Sequence, residues 1–175
     1  DAQNGLTGDF RALLHGVWND LLGLDERVGE MDQVIKRLAA NNEDCVRLQQ
    51  LRGVGPMIST AMVATMGDGR QYHKGRQMAA AIGITPRQHS SGSKDRLLGI
   101  SKRGDVYLRT LMIHGARSVI ARAKHKDDRL SRWVTGIATR RHPNVAAVAL
   151  ANKTARMAWA ILRHRTNYDP NFAMS

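Results

Sequence analysis

The stretch FRALLHGVWNDLLGLDERVGEMDQVIKRL, residues 10–38, decides the class of this fold. Its apolar side chains fall at Phe10, Leu13, Val17, Leu21, Leu24, Val28, Met31, Ile35 and Leu38, three and four residues apart. That is the period of one helix face and not of a strand. From Leu21 onward the spacing alternates four and three, and the successive fours through Val17 and Leu21 read as a stutter, so the stripe fits a narrow coiled-coil seam. Such a seam needs a partner: a second copy of the chain, or the body of its own domain if the helix folds back. Gly16, Gly23 and Gly29 each weaken the helix by up to about 1 kcal/mol relative to Ala, but none lies in the stripe.

Beyond it, Asn41, Asn42 and Glu43 end the pattern. A short helix through Val46 and Leu48 then leads into Leu51-Arg52-Gly53-Val54-Gly55-Pro56. We place the boundary between a helical segment, 1–44, and a helical domain, 45–175, at this point. Pro56 fits the first turn of a helix, where its missing N–H costs nothing, and that helix should stop near Gly67. Further helices are expected over Arg76 to Ile82, from an Asp105 cap through Val119, from Asp127 or Asp128 through Ile137, and from Pro143 through Leu162. The last would carry Lys153, Arg156 and Arg163 away from its apolar seam. Thr85 to Gly104, rich in Gly and Ser and without a periodic apolar face, reads as a long basic loop. No stretch reads as a strand, so the expected class is all-α.

Charge divides the chain in two. Residues 1–50 carry 5 Lys plus Arg against 9 Asp plus Glu, whereas 51–175 carry 22 against 6 and contain no Glu. An acidic helix thus precedes a strongly basic domain, and the overall charge of +12 points to a polyanionic partner, nucleic acid first. No run approaches the roughly 18 apolar residues that a membrane helix needs, and no basic leader precedes a short apolar run. A soluble, cytoplasmic protein without a membrane partner is expected. Cys45 is the only cysteine and reads as structural. The chain opens on Asp1, as a fragment of something longer would.

Three constellations bear on chemistry. Gly53-Val54-Gly55-Pro56 between two helices resembles the hairpin of a helix-hairpin-helix module, whose small residues let backbone approach a phosphate; a plain tight turn has the same composition. The segment Arg87-Gln88-His89-Ser90-Ser91-Gly92-Ser93-Lys94-Asp95-Arg96, followed by Ser101-Lys102-Arg103-Gly104, sets hydroxyls among cations. Phosphoryl transfer uses such a pairing of nucleophile and fixed positive charge, and a basic loop that only touches phosphates would look alike. Metal catalysis needs several convergent carboxylates, and the six Asp of the basic domain each fit a turn or a cap. No metal site is expected within this chain.

Four motifs in order, Leu51 to Pro56, Gly83-Ile84-Thr85-Pro86-Arg87-Gln88-His89-Ser90-Ser91-Gly92, Gly99-Ile100-Ser101-Lys102-Arg103-Gly104-Asp105-Val106-Tyr107-Leu108-Arg109 and His114-Gly115-Ala116-Arg117, resemble the C-terminal half of transposases of the insertion-sequence family one-ten. The tail from Arg140 to Lys153 is similar to its eleven-eleven subgroup. The resemblance covers roughly residues 45–164 and implies a bacterial recombinase guided by a structured RNA. It implies a serine nucleophile at Ser91, with adjoining Ser90 as fallback, that attacks DNA to form a phosphoserine. It also implies a RuvC-like domain with a divalent metal, Mg or Mn, which this chain lacks, so that the fragment alone would be inactive. Gly53, Gly55, Arg87, His89, Lys94, Arg96, Lys102, Arg103 and Arg109 are the expected nucleic-acid contacts, and the first helix the expected site of homo-oligomerisation. The competing expectation is a non-catalytic helix-hairpin-helix module that binds nucleic acid and dimerises.

Overall fold

The computed structural model describes residues 4–91 and 94–170, without the side chains of 89–91 and 94–97. Among the described residues there are seven helices and one two-stranded sheet. The helices are α1 (Gly8–Ala40), α2 (Glu43–Leu48), α3 (Pro56–Met66), α4 (Gly75–Ile82), α5 (Val106–Ala123), α6 (Arg129–Ala138) and α7 (Pro143–His164). Between α4 and α5 lie β1 (Pro86–Ser91) and β2 (Lys94–Ile100).

The helix starts follow side-chain chemistry. Asn42 accepts from the amides of Asp44 and Cys45, Asp105 from that of Leu108, and Asp128 from that of Ser131, each satisfying an N–H that a helix start leaves unpaired. Pro56 and Pro143 occupy first turns. The core lies where α7 packs against α4, α5 and α6, with α3 against α5. Met62, Met78, Ile82, Leu108, Leu150 and Leu162 are fully buried there. On α7, Ala146, Ala147, Ala151, Ala155 and Ala158 are also buried, and their short side chains let the helix axes approach closely. Trp159 donates from Nε1 to the carbonyls of Gly69 and Tyr72, holding the turn before α4 on α7. Burial pushes the pKa of the Cys45 thiol up, in keeping with a structural role.

One of the two alternatives for α1 falls, and the expected loop changes. The helix α1 does not fold back: only its last turns, with Ala39 buried and Val34 and Ile35 half-buried, meet α2 and α3. Leu13, at 69% exposure, and Trp18, at 57%, stand in solvent with Leu14, Val17, Leu21 and Leu22. This apolar face is broader than the narrow seam read from the stripe. The expected loop Thr85 to Gly104 is mostly an antiparallel hairpin, Gln88 opposite Leu97, His89 opposite Arg96, Ser90 opposite Asp95 and Ser91 opposite Lys94. Its strands carry few apolar or β-branched residues, so backbone pairing forms it without the alternation that reveals a half-buried strand.

One ion pair ties the α2–α3 connection to α6. Arg52 donates from Nη1 to Asp128 Oδ2 at 2.7 Å and to Ser131 Oγ at 3.1 Å, and Ser131 Oγ donates to Asp128 Oδ2 at 2.7 Å. Burial alone would raise the Asp128 pKa; the Ser131 hydroxyl and amide, then Arg52, overcome this and lower it from 3.8 to about 2. The resulting stabilisation is fully present above about pH 4 and is lost as pH falls towards 2. Acid unfolding followed by circular dichroism should therefore show a shallower loss of stability between pH 4 and 2 in Asp128→Asn than in the unaltered chain. An identical slope would remove Asp128 from the acid transition.

Candidate functional site

The site is built on the end of α4. A helix end leaves its last carbonyls without intrahelical donors, and this chain supplies donors from the segment after the hairpin. Gly83 takes a left-handed turn at φ +78° and donates to the carbonyls of Ala79 and Ala80, and Ile84 donates back to Ala79. The Ala81 carbonyl accepts from the Asp105 amide at 3.2 Å, that of Ile82 from Arg109 Nη1 at 2.9 Å, and that of Gly83 from the Lys102 amide at 3.1 Å. Ser101 donates to the Thr85 carbonyl at 2.8 Å, closing the hairpin at its base. The segments touch backbone to backbone: a Cβ at Gly83 would meet the Arg103 carbonyl oxygen at 2.0 Å, and one at Gly104, at φ +106°, the Ala81 oxygen at 1.8 Å. Only glycine fits at either position. Both ends of the hairpin are thereby fixed to one helix terminus.

This clamp separates the expected site residues into groups. Ser91 and Lys94 lie opposite each other at the far end of the hairpin, beside the Gly92-Ser93 connection; residues 92 and 93 lie outside the described residues. The side chains of His89, Ser90, Ser91, Lys94 and Arg96 likewise lie outside them, and only backbone register is available there. Arg87, Lys102 and Arg103 are exposed at the base, with an irregularity in register between Pro86 and Gln88. Five residue steps along β1 place the base about 17 Å from Ser91. The base cations are therefore not gathered around Ser91, and a phosphate held by them would be some nucleotides removed from one at the hairpin end. Lys102 holds a left-handed φ of +56°, unusual outside glycine and a mark of a backbone over-determined by its surroundings.

Two further expectations receive a different placement. Arg109 is 9% exposed, and its guanidinium donates to the Ile82 carbonyl, inside the clamp. It holds the fold rather than a surface available to phosphate. Gly53, at φ +82°, packs on α5: a Cβ there would meet the Gly115 carbonyl oxygen at 2.7 Å, and a Cβ at Gly115 would meet the Gly53 oxygen at 2.2 Å. The close approach of two glycine backbones accounts for both residues, whereas Gly55, which caps α3, has open space around it. Among the described residues no three His, Cys, Asp or Glu side chains converge as metal ligands would, and no helix is long and apolar enough to cross a membrane.

Residues 45–131 match the sequence profile of the transposase IS116/IS110/IS902 family. The chain belongs to that family. It is 46% identical over 164 residues to the transposase for insertion sequence element IS1111A of Coxiella burnetii, covering 94% of this chain and 45% of that protein. It is also 46% identical over 158 residues to a probable family 20 transposase of Pseudomonas aeruginosa, covering 90% of this chain and 47% of the relative. A transposase for element IS1328 of Yersinia enterocolitica is 41% identical over 146 residues, 83% of this chain and 44% of the relative. The chain thus spans a little under half the length of these relatives. The family profile encloses the α3–α5 body, the clamp and the hairpin, and extends into the start of α6.

The clamp makes a stability prediction. Arg109→Met leaves the buried Ile82 carbonyl without its donor, a cost of about 1–3 kcal/mol. Thermal unfolding should show a lowered Tm. Unchanged Tm with weakened DNA binding would return Arg109 to the surface role.

Proposed function

We propose that the chain is the C-terminal segment of an insertion-sequence transposase, and that it binds DNA and supplies Ser91 as the nucleophile for DNA recombination. Family membership, the excess of cations after residue 50 and the clamped hairpin support this reading. The observation that carries it is the register: the backbone of Ser91 lies opposite that of Lys94 at the end of an arm anchored to the core. Ser91 and Lys94 at paired backbone positions on a braced arm suit attack on a phosphodiester, where negative charge builds on the phosphate oxygens.

In this mechanism Ser91 Oγ attacks the phosphorus in line, releasing its proton, and a phosphoserine ester forms. The bond from phosphorus to one deoxyribose oxygen breaks, and that oxygen leaves with a proton. A hydroxyl at the end of another strand then attacks the phosphoserine, takes the phosphoryl group and frees Ser91. Bond energy is conserved, so neither ATP nor a redox partner is required. The described residues of this chain do not group as ligands for the implied Mg or Mn ion, and no step here runs through a metal. We assign that ion to a RuvC-like domain elsewhere in the full-length protein, working with a structured guide RNA in the bacterial cytoplasm. The open face at Gly55 and the start of α3 serves as a helix-hairpin-helix phosphate contact. The exposed apolar face of α1 assembles copies of the chain as a coiled coil. Without its remaining domains this segment binds but does not recombine.

The test uses the full-length transposase with DNA, guide RNA and divalent metal on a denaturing gel. Ser91→Ala should abolish the covalent protein–DNA adduct and leave DNA affinity unchanged. An undiminished adduct moves the nucleophile to Ser90 or elsewhere. Recombination with no adduct from either protein makes this segment the non-catalytic binding and dimerisation module.

A further inference from the structure

Beside the hairpin base lies an open groove of about 640 Å³. Its floor is apolar, formed by Ile84, Leu98 and Ile100 from the hairpin region and by Val145, Val148 and Ala149 of α7. Along one wall stand Trp133 of α6 and Lys153 and Arg156 of α7, with the Lys153 ammonium over the Trp133 ring at 5.2 Å. Among the described residues no carboxylate lines the groove, and neither Lys153 nor Arg156 takes part in an ion pair. Burial, then Arg156 and Arg129, lower the pKa of Lys153, as expected of positive charge gathered without a counter-charge. Leu98 and Val145 of this floor are exposed, Val145 at 51%. Asn152 donates from Nδ2 to the Ile84 carbonyl and holds the floor together.

An apolar slot with an aromatic ring and two cations along one edge matches an unpaired nucleotide, whose base is flat and weakly polar and whose phosphate is anionic. A paired duplex keeps its bases stacked inside and offers such a slot only phosphates. An acidic peptide would meet the cations but lacks a flat face to fill the floor. We infer that this groove holds one unpaired nucleotide of a strand running past the hairpin, its base on the Val145 and Leu98 floor and its phosphate on Lys153 and Arg156. The inference rests on the nucleic-acid reading above and adds a subsite to it. A strand attacked at Ser91 would thus be gripped open at the base of the same hairpin.

The experiment measures binding of the 175-residue chain to a labelled oligothymidine of about 15 nucleotides, a length within the range that single-strand sites cover, and to a duplex of equal length. Lys153→Gln with Arg156→Gln should weaken single-strand binding about tenfold and flatten its dependence on salt by up to two phosphate contacts. The same pair should change duplex binding by less than about threefold. Val145→Ser, at an exposed position that cannot unfold the core, should weaken single-strand binding about threefold with no change in salt slope. Against an abasic strand of the same length Val145→Ser should cost nothing, and Lys153→Arg should retain the unaltered affinity. Equal losses for single strand and duplex, or no loss from any groove variant, overturn the inference while leaving the broader reading intact. So does a change in sedimentation in place of a change in affinity, which would make the groove a protein-docking surface. If the unaltered chain binds neither probe, the nucleic-acid reading fails first.

Discussion

The carbonyl groups that α4 leaves unpaired at its C-terminus organise this molecule. Ala81, Ile82 and Gly83 each find a donor in the segment between β2 and α5 or in α5 itself. An unsatisfied buried carbonyl would cost about 1–3 kcal/mol, so these bonds fix where the chain returns after its excursion into the hairpin. The glycines at 83 and 104 let the two backbones touch. From that junction the hairpin projects as an arm with both ends tied, and α5 starts directly at its Asp105 cap. The placement of Ser91, of the base cations and of the groove against α7 all descends from this one junction.

The charge division has a structural counterpart. The acidic N-terminal helix stands away from the body over most of its length and exposes an apolar face, whereas the basic remainder is packed, with its cations spread over the hairpin base, α5, α6 and α7. An acidic helix is repelled by a phosphate backbone. Its apolar face is therefore suited to protein contact, and the basic body to nucleic acid. In the reading proposed above, a long helix of this kind would separate assembly from binding by about 1.5 Å per residue.

Much of the helical architecture was legible because its signals are local. Asn42, Asp105 and Asp128 are side-chain caps and Pro56 and Pro143 open first turns, and α2, α3, α5, α6 and α7 begin at these residues. The hairpin was not legible, because Gln88 to Ser91 and Lys94 to Arg96 are polar residues and their pairing is a matter of backbone bonds between strands. Arg109 was read as a surface cation because sequence carries no record of burial; only the fold brings the Ile82 carbonyl, 27 residues earlier, to its guanidinium. Gly53 and Gly115 answer to each other across a still longer stretch of chain. The groove draws on Ile84, Leu98, Trp133 and Lys153, residues from three separate elements and a connecting turn, which no single motif contains. The expectation at Ser91 came from resemblance to a family, while its place opposite Lys94 came from register.

Amide hydrogen exchange at Lys102 and Asp105 tests the clamp most directly. Their amides donate to Gly83 and Ala81 in the junction that carries the hairpin, so they should exchange as slowly as the core amides of α5 and α7, opening only when the core opens. Rapid exchange at both positions, with the core still protected, would mean that the hairpin is not held by the end of α4 and would contradict the architecture described here.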